Sequence, residues 1–121
     1  MNKDFRLKTN EGNFINVNVF GLEYIKSSPC LIFVHGFKGF KDWGFFPYTA
    51  SHFAESGYFV ITFNFSHNGV DEDGFNFNRL EKFAKNTISL EISELIQVIC
   101  AYKYGFFGSD IYGKIGLLCH S

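Results

Sequence analysis

Three short stretches of this 121-residue sequence carry side chains suited to chemistry. His35-Gly36-Phe37 sets an imidazole beside a glycine and an aromatic ring. Residues 64–69, Asn-Phe-Ser-His-Asn-Gly, set His67 between Asn64 and Asn68. The third stretch, Cys119-His120-Ser121, offers a thiol, an imidazole and a hydroxyl in succession. A histidine in a Gly/Asn-containing loop has the ionisation range of a general base. Each stretch also has a plain structural reading. Gly36 reads as a turn glycine with His35 hydrogen-bonded to the backbone, and Asn64 and Asn68 as loop residues closing Asx-type turns.

Metal chemistry finds less support. Asp71, Glu72 and Asp73 form an acidic cluster, but with no second liganding segment they read as a solvated loop. Cys30, Cys100 and Cys119 are odd in number and lack CxxC spacing, which argues against a zinc site and against a disulfide framework. No metal and no organic cofactor is expected. His52, inside a helical stretch, reads as a surface residue.

The elements that must position these stretches follow from periodicity. Residues 5–8 and 14–20 alternate apolar with polar, the pattern of strands with one wetted face, and Asn10-Glu11-Gly12-Asn13 between them is a hairpin signal. Continuous apolar runs at 30–34, 58–63 and 114–119 predict strands covered on both faces. Pro47 at a helix start and Gly57 just past a helix end bracket a helix over 48–56, with Phe46, Ala50, Phe53 and Ala54 on one face.

A second helix is predicted from Ile88, Ile92, Leu95, Ile96, Ile99 and Tyr102 as its inner face, with Ser89, Glu91, Ser93, Glu94 and Gln97 outside. Asn86 or Thr87 caps its start, and Gly105 ends it. Buried strands alternating with helices mean a parallel sheet built by right-handed crossovers, here behind an antiparallel hairpin near an edge. All three chemical stretches then fall at carboxyl ends of strands, where open α/β sheets form ligand crevices, and the long connection over 66–85 lines the same place.

On these residues the sequence resembles the α/β-hydrolase family, particularly its small bacterial esterase or dienelactone-hydrolase-like branch. The carriers are LIFVHGF followed by KGFKDW, the FNFSHNG run, and KIGLLCHS after the amphipathic helix. The resemblance spans nearly the whole chain, while the chain spans only the front half of the family's fold. It implies an α/β-hydrolase-type sheet, truncated at the nucleophile elbow, with residues 1–121 as the N-terminal part of one domain.

The family sets its nucleophile in a small-x-nucleophile-x-small turn, which makes Ser121 the implied nucleophile and places Cys119 and His120 in the elbow before it. Cys119 stands where glycine is usual. As a nucleophile itself, Cys119 would put bulky Leu117 at the small position, so the frame favours Ser121. The residue after the HG pair donates its main-chain N–H to the substrate oxyanion, which gives that role to Phe37, with His35 and Gly36 supporting the loop. Trp43 and Phe40 are near this loop and could line an acyl pocket. Asn64, His67 and Asn68 are cleft-lining candidates; the family order of Ser, acid, His excludes His67 as the triad base.

The resemblance thus implies a hydrolase of carboxylic esters working through an acyl-enzyme, with a small-molecule ester or other acyl compound as substrate. Thioesterase and peptidase activities stay open, as does the oligomeric state. The triad acid and histidine are expected beyond these 121 residues, so the chain alone is expected to be inactive. The alternative is a non-catalytic α/β binding or interaction module using the same crevice.

Composition limits the remaining classes. Eleven Lys and Arg against twelve Asp and Glu give a net charge of −1, with no basic excess for nucleic acid. An apolar share of 46%, with 17 Phe, predicts a Phe-rich core. The apolar runs are too short to span a membrane, and the start of the sequence lacks a signal-peptide pattern, so a cytoplasmic protein with reduced thiols is expected.

Overall fold

The computed structural model describes residues 2–36, 40–42, 44–67, 85 and 87–119. They form strands β1 (Asn2–Lys8), β2 (Phe14–Phe20), β3 (Cys30–Val34), β4 (Phe59–Phe63) and β5 (Ile115–Cys119). Helix α1 (Phe46–Glu55) connects β3 to β4, and helix α2 (Ile88–Lys103) lies between β4 and β5. The strands form one sheet in the order β1-β2-β4-β3-β5. The β1–β2 and β2–β4 pairs are antiparallel, while the β4–β3 and β3–β5 pairs are parallel. This is the mixed sheet the patterning predicts, with the hairpin at one edge.

Packing on the two faces explains the pleat. Ile15, Val17 and Val19 of β2 join Ile32, Phe59, Ile61 and Phe63 under α2, where Val98 and Tyr102 are fully buried. On the other face, Phe20, Phe33 and Val60 meet Phe46, Ala50 and Ala54 of α1. The phenylalanines interlock edge to face, as between Phe33 and Phe46 at 5.8 Å, a preferred geometry for aromatic quadrupoles. Tyr102 buries its ring and accepts the Gly113 N–H on its hydroxyl at 2.8 Å, so its polar end is paired.

Helix ends follow the sequence signals closely. Thr87 Oγ1 accepts the Leu90 N–H at 3.1 Å and caps α2. Gly57 and Gly105, just past the two helices, have φ of +100° and +93°, the left-handed turn that ends a helix.

The orientation of α2 departs from expectation. Glu94, assigned to the outer face, has no exposed surface, whereas Ile88, Ile92 and Ile96, assigned to the inner face, are 75%, 54% and 53% exposed. Periodicity locates a stripe but does not choose between adjacent stripes. Here the residues at 94, 98 and 102 face the sheet. The isoleucines lie on the flank turned away from the β1–β2 hairpin, to which Gln97 is bonded through the Asn10 N–H at 2.9 Å. β5, at the edge of the sheet among the described residues, leaves Leu117 49% exposed. None of the described helices is long and apolar enough to cross a membrane.

Candidate active site

The parallel arrangement brings the carboxyl ends of β3, β4 and β5 to one end of the sheet. β3 lies between β4 and β5, with Phe33 opposite both Thr62 and Leu118 and Val34 opposite Cys119. His35-Gly36 and the residues 64–67 that follow β4 therefore leave the sheet from neighbouring strands, with Cys119 at the same end of β5. The reason is local: a parallel register requires each crossover to return the chain to the same starting edge.

His35 is 6% exposed and both of its ring nitrogens are engaged. Nε2 accepts the Phe65 N–H at 3.1 Å, which requires Nε2 to be unprotonated. Nδ1 then carries the hydrogen and donates to the Gly36 carbonyl at 3.0 Å. Burial lowers the His35 pKa, against the opposing pull of the Gly36 bond and the charge of Glu91, and so favours this neutral form. His35 is accordingly a brace. It ties the turn after β3 to the turn after β4 and has no ring nitrogen left for proton transfer.

Asn64 makes a second tie between the same two turns. Its Oδ1 accepts the Lys41 N–H at 2.6 Å, a bond across 23 residues in place of the local Asx turn expected from sequence. Its own N–H donates to the Asn16 carbonyl on β2 at 3.1 Å. Asn64 is 5% exposed, so it is a loop clamp and its side chain has little surface to offer a ligand.

Beyond it, Ser66 donates its N–H to Glu94 Oε1 at 2.8 Å and its hydroxyl to Glu94 Oε2. His67 Nδ1 lies 2.7 Å from Ser66 Oγ. Burial raises the Glu94 pKa; the two Ser66 bonds and the nearby His67 oppose that rise, and the charge of Glu11 adds to it. Glu94, Ser66 and the Lys41 main chain are the residues that sequence reasoning passes over. The available signal was the spacing of Glu94 with Val98 and Tyr102, which places a carboxylate on a buried stripe.

Cys119 ends β5 with an exposed side chain. Phe37, Trp43, Asn68, His120 and Ser121 lie outside the described residues, as does the acidic cluster at 71–73. Among the described residues, His35 is tied to the turn after β4 that carries Asn64 and His67, and Cys119 ends the neighbouring strand β5. Among the described residues no three His, Cys, Asp or Glu side chains are grouped to hold a metal ion. Cys30, whose thiol burial pushes up to about 12, is inert in the core.

No protein-family model and no curated protein matches the sequence. Solved structures do match its fold. The chain is similar to the esterase Est1E from Butyrivibrio proteoclasticus, at 14% identity and a TM-score of 0.70, over 98% of this chain and 40% of that one. A structure of Est1E with ferulic acid bound gives 16% identity and a TM-score of 0.74, over 97% and 42%. The Pyrococcus furiosus esterase Pf2001 gives 17% and 0.67, over 98% and 41%, and the epoxide hydrolase VrEH1 from Vigna radiata 17% and 0.66, over 99% and 31%. The chain spans about two fifths of the length of these esterases. Its neighbours are hydrolases, and the fold they share with it is the α/β-hydrolase fold.

Proposed function

We propose that this chain, which has the α/β-hydrolase fold, is the N-terminal part of a serine hydrolase acting on carboxylic esters. The observation that carries the reading is the register of β3 with β5. It sets the braced His35-Gly36 turn directly beside the strand that leads through Cys119 to His120 and Ser121. In this reading Ser121 attacks the substrate carbonyl and the Phe37 main-chain N–H donates to the oxyanion that forms. Collapse of the tetrahedral intermediate expels the alcohol and leaves an acyl-serine, which water then cleaves.

Preorganisation explains why the two turns are tied so firmly. An oxyanion donor contributes most when it needs no reorganisation as charge develops. The His35–Phe65 and Asn64–Lys41 bonds fix the chain on both sides of Phe37. His35 cannot serve as base for Ser121, because both of its nitrogens are already bonded. In this reading the family order of Ser, acid and His puts the acid and histidine of the triad after Ser121. The substrate is a small ester or a related acyl compound.

A serine-reactive fluorophosphonate probe applied to the whole protein, as its cells make it, tests the assignment. Labelling is expected, and Ser121→Ala abolishes it together with ester hydrolysis, a fall on the order of 10^3-fold or more. Labelling that survives Ser121→Ala refutes the assignment.

A further inference from the structure

The turn after β4 holds a hydrogen-bond relay that the acyl-transfer steps do not use. It starts at the buried Glu94, whose two carboxylate oxygens accept the Ser66 N–H and the Ser66 hydroxyl. Ser66 Oγ in turn lies 2.7 Å from His67 Nδ1. A serine hydroxyl has one proton to donate. With that proton directed at Glu94, Ser66 Oγ is an acceptor toward His67, so Nδ1 must carry a hydrogen. A neutral imidazole protonated at Nδ1 has its lone pair on Nε2. His35 adopts the same tautomer, but its Nε2 is filled by the Phe65 N–H. Nothing among the described residues bonds Nε2 of the half-buried His67.

We infer that Glu94, acting through Ser66, fixes His67 as a hydrogen-bond acceptor at the strand-end crevice, where it receives a hydroxyl on the acyl chain of the substrate. This rests on the hydrolytic reading above. β3, which leads into the His35-Gly36 turn, is hydrogen-bonded to β4, which leads to His67. The turn that carries His67 and the His35-Gly36 turn therefore leave neighbouring strands. A site built to bond a hydroxyl rejects the analogue without it, because its own polar group is then left unpaired. His67 is the specificity determinant, and Glu94 and Ser66 are positioning residues.

Glu94→Gln separates this role from simple support of the fold. The amide keeps the carboxylate's shape, and its Oε1 can still accept the Ser66 N–H. Its NH2 group, however, donates to Ser66 Oγ and turns the serine proton toward His67 Nδ1. The ring is driven to the Nε2–H tautomer, presenting a donor in place of an acceptor. Two measurements on the whole protein follow: imidazole nitrogen chemical shifts, and the ratio of kcat/KM for 4-nitrophenyl 3-hydroxybutyrate to that for 4-nitrophenyl butyrate.

The unmodified protein is expected to show Nδ1–H at His67 and a ratio of about tenfold or more. Glu94→Gln is expected to invert the tautomer and bring the ratio close to one; His67→Phe brings the ratio down equally. Nε2–H in the unmodified protein, or a ratio that Glu94→Gln leaves in place, overturns the inference. Equal hydrolysis of both esters overturns the acceptor role alone. Hydrolysis of neither ester overturns the reading of the crevice as well. Should Glu94→Gln fail to fold, Ser66→Ala interrupts the relay at its middle and the same ratio decides.

Discussion

At the scale of single residues, His35 shows how a side chain with catalytic potential can be committed to structure. Its ring joins two turns by one donated and one accepted bond. Removing it strands the Phe65 N–H in a buried setting, and an unpaired buried donor costs about 1–3 kcal/mol. His35→Ala is therefore expected to destabilise by roughly 2–3 kcal/mol, read from denaturant unfolding. The effect has a definite pH sign. Burial lowers the folded pKa below its unfolded value, so the unfolded chain binds the proton more readily. The stabilisation is fully present above about pH 6.5 and is lost as pH falls through the lowered folded value. The gap between the parent and His35→Ala should narrow with acid over that window; a gap independent of pH would contradict the neutral, buried assignment.

Glu94 poses a related question at the level of the element. A hydrophobic count along α2 favours the isoleucine stripe, yet the helix is rotated to bury a carboxylate. The turn after β4 gives the reason, since Ser66 presents two donors and the buried Glu94 carboxylate accepts both. Leu95 and Ile99 still reach the core from the edge of the isoleucine stripe, while Ile88, Ile92 and Ile96 stand outside. An exposed apolar stripe invites a cover. In the 121-residue chain, the pair Ile92→Lys and Ile96→Lys is expected to change stability by less than about 1 kcal/mol, as surface substitutions do. In the whole protein the same pair should cost several kcal/mol if further elements bury the stripe, on the order expected for core changes. Equal small effects in both would mean that the stripe faces water throughout.

For the molecule as a whole, the sheet formed by the described residues has two edges of different character. β1 carries Lys3, Arg6 and Lys8, charged residues of the kind that discourage pairing with another chain. β5 reads Ile-Gly-Leu-Leu-Cys, has no charge, and is paired on one side by β3. Such an edge is a template for a further strand. Expressed alone, the 121 residues are expected to associate or precipitate, measurable by light scattering behind size-exclusion chromatography. A monodisperse monomer with a sharp, reversible melt would show that the edge is protected.

The sequence by itself determined the elements and their order. Alternation marked the hairpin, continuous apolar runs marked the inner strands, and Pro47, Gly57, Thr87 and Gly105 marked helix ends, because these signals are local properties of the chain. It also pointed to the three stretches at strand ends, since a parallel sheet delivers its loops to one side. Only the tertiary structure decided which stripe of α2 faces inward, that Asn64 reaches Lys41 across 23 residues, and that Glu94 meets Ser66 across 28. Those choices depend on which buried donors need partners once the strands are aligned, a demand that arises between elements and leaves no period in the sequence.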